Sequence, residues 1–271
     1  GRKLFYILIR LQIGETKMIK QMNYDSKFIS LMTELAAINP QLIFKQAEDK
    51  VSVKAIEAKN KSICFFLDAP ADAFKFESES LAVIDFNRLV SYFNTFNVAG
   101  KKDDANSDSP ILSVEYSDDE ATEAIVMHIK TSKQKAAFRH RLANEDVIVK
   151  PNFSKIKFPT TDATFALSKD QLDDLNKMQK LTAADRIKWA FHDSVCTVTL
   201  FNTRTNDTYE NDYIIDASVD APFDFTTVAD GIGLLPDGGY KIVVSKAGIM
   251  SLTQDRTDAI NLELYIAKTG K

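Results

Sequence analysis

The sequence predicts an α+β protein made of two similar halves, each with two helices packed on antiparallel sheets. Both halves read in the same order, with a helix, short strands, a second helix and further strands, which indicates an internal repeat. The strands follow one another without strand–helix–strand alternation, and this order favours antiparallel sheets. With 271 residues, of which 45% are hydrophobic, the chain has enough apolar material for two cores.

The first half is predicted over residues 22–142. Its opening helix, at about 24–37, has apolar residues at helical spacing and ends before Asn39-Pro40. A second helix runs from Phe86 to about Phe96, with Asp85 as its N-cap. The strands predicted around these helices are Gln41–Gln46, Lys50–Ile56, Ser62–Leu67, Ala82–Ile84, Ile111–Tyr116, Ala124–Lys130 and Ala136–Leu142.

The second half is predicted over 163–271, after an extended connector at 143–162 that contains two prolines. Its helix begins at Ser168-Lys169-Asp170-Gln171, which matches a capping box, and its apolar stripe extends to Leu181. A short helix is expected at about Thr227–Gly231. The predicted strands are Ala163–Leu167, Arg186–Phe191, Val195–Phe201, Thr208–Ala217, Tyr240–Lys246, Ile249–Gln254 and Ile260–Ala267.

Residues 1–21 stand outside this repeat. Their apolar run Leu4–Ile9 is too short to span a bilayer, Arg10 interrupts it, and no small-residue cleavage site follows. We expect an extra strand or arm, or sequence upstream of the native start. Cys64 and Cys196 lie in apolar runs and are predicted to be buried thiols, which favours a reducing compartment, and we expect the cytoplasm. No other segment approaches the length of a transmembrane helix, so we expect no membrane partner.

Catalytic chemistry leaves no pattern in this sequence. The three histidines lack metal-ligand spacing, and no phosphate-binding glycine-rich loop or nucleophile motif is present. We therefore expect no enzyme activity, no metal and no cofactor. The formal net charge is -4, so a basic surface for nucleic acid would have to be confined to one face.

Four segments, in this order and spacing, resemble the DNA sliding-clamp family, and specifically the clamps of large tailed phages. They are Ile38–Ile43, Leu81–Leu89, Leu167–Leu172 and Pro236–Lys241. The resemblance extends from about Met22 to Lys271, whereas residues 1–21 have no counterpart in it and the acidic loop Lys101–Pro110 is long.

The resemblance implies the DNA-clamp fold and a homotrimeric ring, with helices lining the hole and sheets forming the outer wall. Such a ring encircles duplex DNA without base contacts and acts in DNA replication as the processivity factor that tethers the DNA polymerase. A separate clamp-loader ATPase opens it. Subunits join by pairing edge strands, which also removes exposed edges that would invite aggregation.

Two sets of candidate site residues follow from the resemblance. The basic residues expected to face DNA phosphates from the inner helices are Lys27, Arg88, Lys169, Lys177 and Lys180. The residues expected at a pocket for partner peptides, with ordinary interdomain core as the alternative, are Ile156, Phe158, Pro159, Tyr265 and Ile266. A phage structural or interaction protein that does not encircle DNA, and an enzyme with a carboxylate site, are the other functions considered.

Overall fold

The computed structural model describes residues 17–59, 61–97, 110–118, 120–131, 137–150 and 158–269. The helices in these ranges are α1 Ser26–Leu35, α2 Phe86–Asn97, α3 Lys169–Thr182 and α4 Asp230–Gly233. None of these four is long and apolar enough to cross a membrane. Two 3₁₀ turns lie at Ala71–Ala73 and Glu145–Val147.

Eighteen strands occur in the described residues, ten before the connector and eight after it. Those before the connector are β1 Met18–Gln21, β2 Asn23–Tyr24, β3 Leu42–Gln46, β4 Lys50–Ile56, β5 Ile63–Pro70, β6 Phe74–Lys75, β7 Ser80–Val83, β8 Ile111–Tyr116, β9 Ala124–Lys130 and β10 Ala137–Arg141. Those after it are β11 Ala163–Leu167, β12 Arg186–His192, β13 Val195–Phe201, β14 Thr208–Ile214, β15 Phe223–Val228, β16 Tyr240–Ser245, β17 Ile249–Gln254 and β18 Asn261–Ala267.

The sheet order shows the internal repeat strand by strand. The first half contains the strand orders β7-β3-β4-β5 and β1-β8-β9-β10, and the second half contains β15-β12-β13-β14 and β11-β16-β17-β18. All of these neighbours are antiparallel, and two helices accompany each pair of sheets. The predicted α+β class, with two similar halves and antiparallel sheets, is therefore confirmed.

The two halves are joined at one strand pair. β18 runs antiparallel to β5, with Leu264 opposite Phe65, and this pairing merges one sheet of each half into an eight-stranded sheet. On the helix side, the Glu34 carboxylate of α1 accepts the backbone N–H of Asp237 from the second half at 2.9 Å. The junction is thus held by a main-chain ladder and by a side-chain hydrogen bond.

Aromatic side chains fill both cores. In the first half the ring of Phe44 on β3 contacts the rings of three other phenylalanines, and all four are fully buried. The three are Phe28 of α1, Phe74 of β6 and Phe86 of α2. In the second half Trp189 packs near Phe165 and donates its indole N–H to Thr227 Oγ1 at 3.0 Å. The helices are therefore fixed on one face of each sheet by side chains that alternate along the strands.

Some elements differ from the sequence prediction in their bounds. The short helix predicted at about Thr227–Gly231 begins later, at Asp230, because Phe225 and Thr227 point inward from strand β15, which pairs with β12. Met18–Gln21 is a strand paired with β8, in agreement with the extra strand expected within residues 1–21; residues 1–16 lie outside the described ranges. Leu181, assigned to the apolar stripe of α3, is 70% exposed on its last turn.

The capping box of α3 provides a test of how this helix is anchored. The Ser168 side chain accepts the backbone N–H of Gln171, and the Gln171 side chain accepts the Ser168 N–H at 2.8 Å. We expect Ser168→Ala to lower the free energy of unfolding by about 1 kcal/mol, because the backbone N–H of Gln171 in the first turn loses its side-chain acceptor. Ser168→Thr keeps an acceptor and should lose less. Equal stability of Ser168→Ala and the wild type in urea unfolding would contradict the cap.

Candidate functional site

One face of each helix is polar and points away from the sheets. Lys27 of α1, Arg88 of α2, and Lys177 and Lys180 of α3 are exposed on these faces. Within the described ranges, none of these four side chains forms an ion pair. Their charges are therefore available to an external anion such as a phosphate.

Lys169 is in a different environment. Its ammonium group is hydrogen-bonded to Asp237 and lies 3.9 Å from Asp173, and these carboxylates raise the pKa of Lys169. Asp237 also donates its backbone N–H to Glu34. Lys169 thus belongs to a polar chain that crosses the junction between the two halves, and the acidic Glu34 on α1 has a structural role there.

In the described residues the three larger sheets have six outer strands, which are β1, β7, β10, β11, β14 and β15. Two of them, β10 and β14, belong to different four-stranded sheets, and we call their unpaired edges the open edges. In the repeat, β10 occupies the position of β18 and β14 occupies the position of β5, and β18 pairs with β5. The open edges of β10 and β14 are therefore the counterparts of the edges of β18 and β5, which pair with each other inside the chain.

The open edges carry opposite charges on the same face. Phe138 of β10 stacks on Tyr92 of α2 at 4.4 Å, so the alternate residues Arg139 and Arg141 point away from the helices. On β14, Tyr213 is buried, and Glu210, Asp212 and Ile214 are exposed. A pairing of β10 with β14 would therefore set arginines beside carboxylates.

A buried carboxylate orders the basic edge. Glu115 of β8 is contacted by Lys17 at 3.2 Å, His128 at 3.1 Å and Arg139 at 3.3 Å. Burial favours the neutral acid, but hydrogen bonds from His128 and Lys17 outweigh it and hold the pKa of Glu115 below its ordinary value. Lys17, Arg139 and Arg141 surround an open depression of about 470 Å³ whose apolar floor is Ile125 and Val126.

A separate pocket lies between the start of the connector and the sheet face opposite the helices. Its volume is about 400 Å³. Phe44 points toward α1, so Ile43 and Lys45 of the same strand point into this pocket. The residues that line it are Asn39, Gln41, Ile43, Lys45, Ser52, Lys54, Ala55, Ile148, Val149 and Lys150.

Glu145 fastens the connector beside this pocket. Its carboxylate accepts hydrogen bonds from Lys45 of β3 and, at 3.0 Å, from Lys150. These two lysines lower the pKa of Glu145 to about 2. The ion cluster therefore holds the connector residues Ile148 and Val149 against the sheet, where they form one wall of the pocket.

The pocket continues into a second depression of about 370 Å³ across the junction strands, and the two share Ser52 and Lys54. Phe66 of β5 and Tyr265 of β18 form an edge-to-face pair there at 5.5 Å, and Phe158 lies 6.5 Å from Tyr265. We call this continuous surface the connector groove, comprising the residues that line both depressions.

The predicted pocket residues divide into three groups. Tyr265 lines the connector groove, Phe158 contacts Tyr265, and Pro159 is exposed beside Phe158. The prediction that Ile266 belongs to the pocket is wrong, because its side chain points to the opposite face of β18 and is only 2% exposed, so a peptide cannot reach it. Ile156 lies outside the described residues.

Sequence reasoning missed the apolar floor formed by Ile43, Ala55, Ile148 and Val149. One signal was present: Leu42-Ile43-Phe44 is continuously apolar where a half-exposed strand would alternate. That pattern indicates a strand with both faces covered. The same pattern does not show that the segment covering the outer face of β3 is the connector.

No group of His, Cys, Asp or Glu suited to a metal ion occurs among the residues that the structure describes. Both cysteines are buried, and burial raises the pKa of Cys64 to about 12. Burial also lowers the pKa of His140, whose ring packs against Tyr92. Each of these groups is explained by packing in the core.

Comparison with known proteins identifies the fold. Solved structures with the same architecture include A. fulgidus PCNA bound to the C-terminal region of FEN-1, with a TM-score of 0.65 and 10% identity over 94% of this chain and 99% of that chain. PCNA from Thermococcus kodakaraensis gives a TM-score of 0.62 and 15% identity over 93% of this chain and 100% of that chain. The H. pylori beta clamp in complex with 5-chloroisatin gives 0.63 and 11% identity, covering 96% of this chain and 68% of that chain.

These likenesses show that the chain has the sliding-clamp fold, as the resemblance of its motifs implied. No family model and no curated protein matches the sequence. At identities of 10–15% the likeness defines the fold alone.

The Glu145 cluster predicts a pH-dependent attachment of the connector. Because the pKa of Glu145 is lowered from 4.5 to about 2, its stabilising contribution is complete above about pH 4.5 and is lost as the pH falls towards 2. We expect Glu145→Gln to reduce the free energy of unfolding at pH 7 by at most about 1 kcal/mol, since water screens the half-exposed lysines.

The difference between wild type and Glu145→Gln should shrink at pH 3, measured by urea unfolding at both pH values. Hydrogen exchange of Val147–Lys150 should be faster in Glu145→Gln at pH 7. A difference that is the same at pH 7 and pH 3 would contradict a role for the ionised carboxylate.

Proposed function

We propose that this chain is the subunit of a DNA sliding clamp of the large tailed-phage type, a ring-forming processivity factor that encircles duplex DNA. The observation that carries this proposal is the pair of open edges: β10 and β14 are the repeat counterparts of β18 and β5, which pair within the chain. A second copy is the partner that repeats this junction, and a head-to-tail contact of this kind closes into a ring when its rotation allows.

Ring closure would use both halves of each subunit. We assign 22–142, together with strand β1, and 163–271 as clamp domains, with 143–162 as the connector. β10 of one copy would then pair with β14 of the next, with Arg139 and Arg141 beside Glu210 and Asp212. Three copies would make a homotrimer of six domains, and its closure would pair the open edges of β10 and β14 in every subunit.

DNA would pass through the hole beside the helices. Lys27, Arg88, Lys177 and Lys180 supply exposed charges for non-specific phosphate contacts. Lys169 would contribute less, because Asp237 and Asp173 already balance its charge. Retention would be topological, so a low affinity for DNA suffices, and a separate clamp-loader ATPase would open the ring.

The connector groove would hold the partner. In A. fulgidus PCNA the C-terminal region of FEN-1 is the bound partner. By analogy we propose that a short apolar segment of the DNA polymerase, or of another replication protein, occupies the groove beside Ile43, Val149 and Tyr265. This chain would contribute binding and tethering, with no catalytic residue and no cofactor.

Charge reversal at the open edges tests ring closure. We expect Arg139→Glu with Arg141→Glu to convert the assembly to monomer, because four like charges would meet at each joint. Glu210→Arg with Asp212→Arg should do the same. Combining all four substitutions in one chain should restore the assembly, since each joint regains opposite charges. The readout is sedimentation velocity at low salt.

The combined variant separates loss of pairing from misfolding. Circular dichroism of both double variants should match the wild type. If the double variants remain assembled, or if the combined variant stays monomeric while folded, β10 and β14 are not the joint.

Neutralising the helix cations tests the DNA path. We expect Arg88→Gln, Lys177→Gln and Lys180→Gln together to shorten the products of the clamp-dependent polymerase several-fold. Each lost phosphate contact should reduce the slope of log affinity against log salt by ~0.9. The matched control removes three exposed strand lysines, Lys75, Lys130 and Lys241. Equal effects of the two triple variants would contradict a DNA path beside the helices.

A further inference from the structure

We infer that the connector groove selects an acidic partner peptide, in which a carboxylate next to the apolar anchor pairs with Lys54. This inference rests on the proposed function, because it specifies the chemistry of the segment that the groove would hold. It concerns the charge of the partner, which the clamp fold alone leaves undetermined.

The floor of the groove accepts apolar side chains. Ile43 and Ala55 come from adjacent strands, and Ile148 and Val149 come from the connector. Val149 is 73% exposed, so an apolar residue that enters the pocket would remove it from water. With a volume of about 400 Å³, the pocket has room for one or two large side chains.

The rim around this floor is basic. Lys45, Lys54 and Lys150 line the pocket, and no carboxylate is among its lining residues. Lys45 and Lys150 share the carboxylate of Glu145. Lys54 differs from them, because it forms no ion pair within the described ranges.

Lys54 stands where the two depressions of the groove meet. It lines both of them, and its ammonium lies 5.5 Å from the centre of the Phe66 ring. This cation–π contact places the charge over the groove. A peptide that runs from the pocket towards Tyr265 would have to pass it.

The carboxylates of the second depression are already occupied. Asp68 accepts hydrogen bonds from Ser52 at 2.6 Å and Lys50 at 3.0 Å. Glu263 accepts from Ser251 and from Tyr265, both at 2.8 Å. Asp68 is thus paired with Lys50, whereas Glu263 is held by two neutral hydroxyls and keeps its negative charge. On the connector side of Lys54 no carboxylate is among the lining residues, so an incoming peptide that occupies that pocket meets the positive charge of Lys54 there.

Bound peptide would exclude water from Lys54, and an unpaired ammonium in that position disfavours binding. A carboxylate on the peptide offsets this cost with a charge-assisted hydrogen bond, whereas a lysine or arginine there adds like-charge repulsion. The groove should therefore rank peptides that share one anchor in the order acidic, neutral, basic.

The test uses three labelled eight-residue peptides with a Leu-Phe anchor flanked by Asp, Asn or Lys. Binding to the full chain is measured by fluorescence anisotropy at low salt. We expect the Asp peptide to bind about tenfold more tightly than the Asn peptide, and the Lys peptide to bind most weakly. Lys54→Gln should remove the difference between Asp and Asn, and Lys54→Glu should reverse the order. Lys241→Glu, on an exposed strand position outside the groove, is the matched control.

Val149→Glu distinguishes the two levels of the proposal. If all three peptides bind equally to the wild type and Val149→Glu abolishes binding, the groove holds peptides without charge selection and the inference is overturned, while the proposed function stands. If no peptide binds, the inference is also overturned, and the clamp assignment is then decided by the oligomer and DNA experiments, which do not involve the groove. An acidic preference that survives Lys54→Glu would likewise contradict a role for Lys54.

Discussion

The pairing of β18 with β5 is the interaction on which the architecture depends. Main-chain N–H and C=O groups at a strand edge need partners, and in this chain the last strand of the second half meets that need for the first half. The hydrogen bond from Asp237 to Glu34 fixes the same junction on the helix side. Because the two halves repeat each other, the same requirement remains at β10 and β14, where the proposed ring would place a second copy.

The distribution of charge over the surface differs from what the net charge of the chain suggests. The chain has a formal net charge of -4, yet exposed cations without ion pairs lie on the helix faces, and arginines lie on one open edge. Several acids are engaged in structure: Glu115 orders the basic edge, and Glu145 holds the connector. An acidic protein can in this way present a surface suited to phosphate, because a bound polyanion responds to the local field.

The sequence predicted those parts of the fold that local signals control. The bounds of Lys50–Ile56, Ile111–Tyr116 and Val195–Phe201 match the structure, since alternation and turn residues define such strands locally. The capping box at Ser168 is likewise a signal that is complete within four residues. Strand β15 was predicted in part as helix, because its pairing with β12 lies outside any local window.

The site was less predictable because it is assembled from distant segments. Ile43 and Val149 are more than a hundred residues apart in sequence, and the contacts that bring the connector over the sheet, such as the Glu145 cluster, are between distant segments. Tyr265 and its neighbour Ile266 looked equivalent as apolar residues of one strand, yet alternation places them on opposite faces. In sequence Lys169 is indistinguishable from Lys177 and Lys180, the other exposed lysines of α3, because its ion-pair partner Asp237 comes from a distant turn.

Absolute mass in solution tests the central claim most directly, because topological retention on DNA requires a closed assembly. Light scattering on a size-exclusion column, over a range of loading concentrations, measures this mass without reference to shape. With a chain of 30.4 kDa, a homotrimeric ring predicts about 91 kDa, and this mass should persist on dilution. A mass of 30.4 kDa at every concentration would contradict the ring and leave a clamp-fold protein that acts as a single subunit.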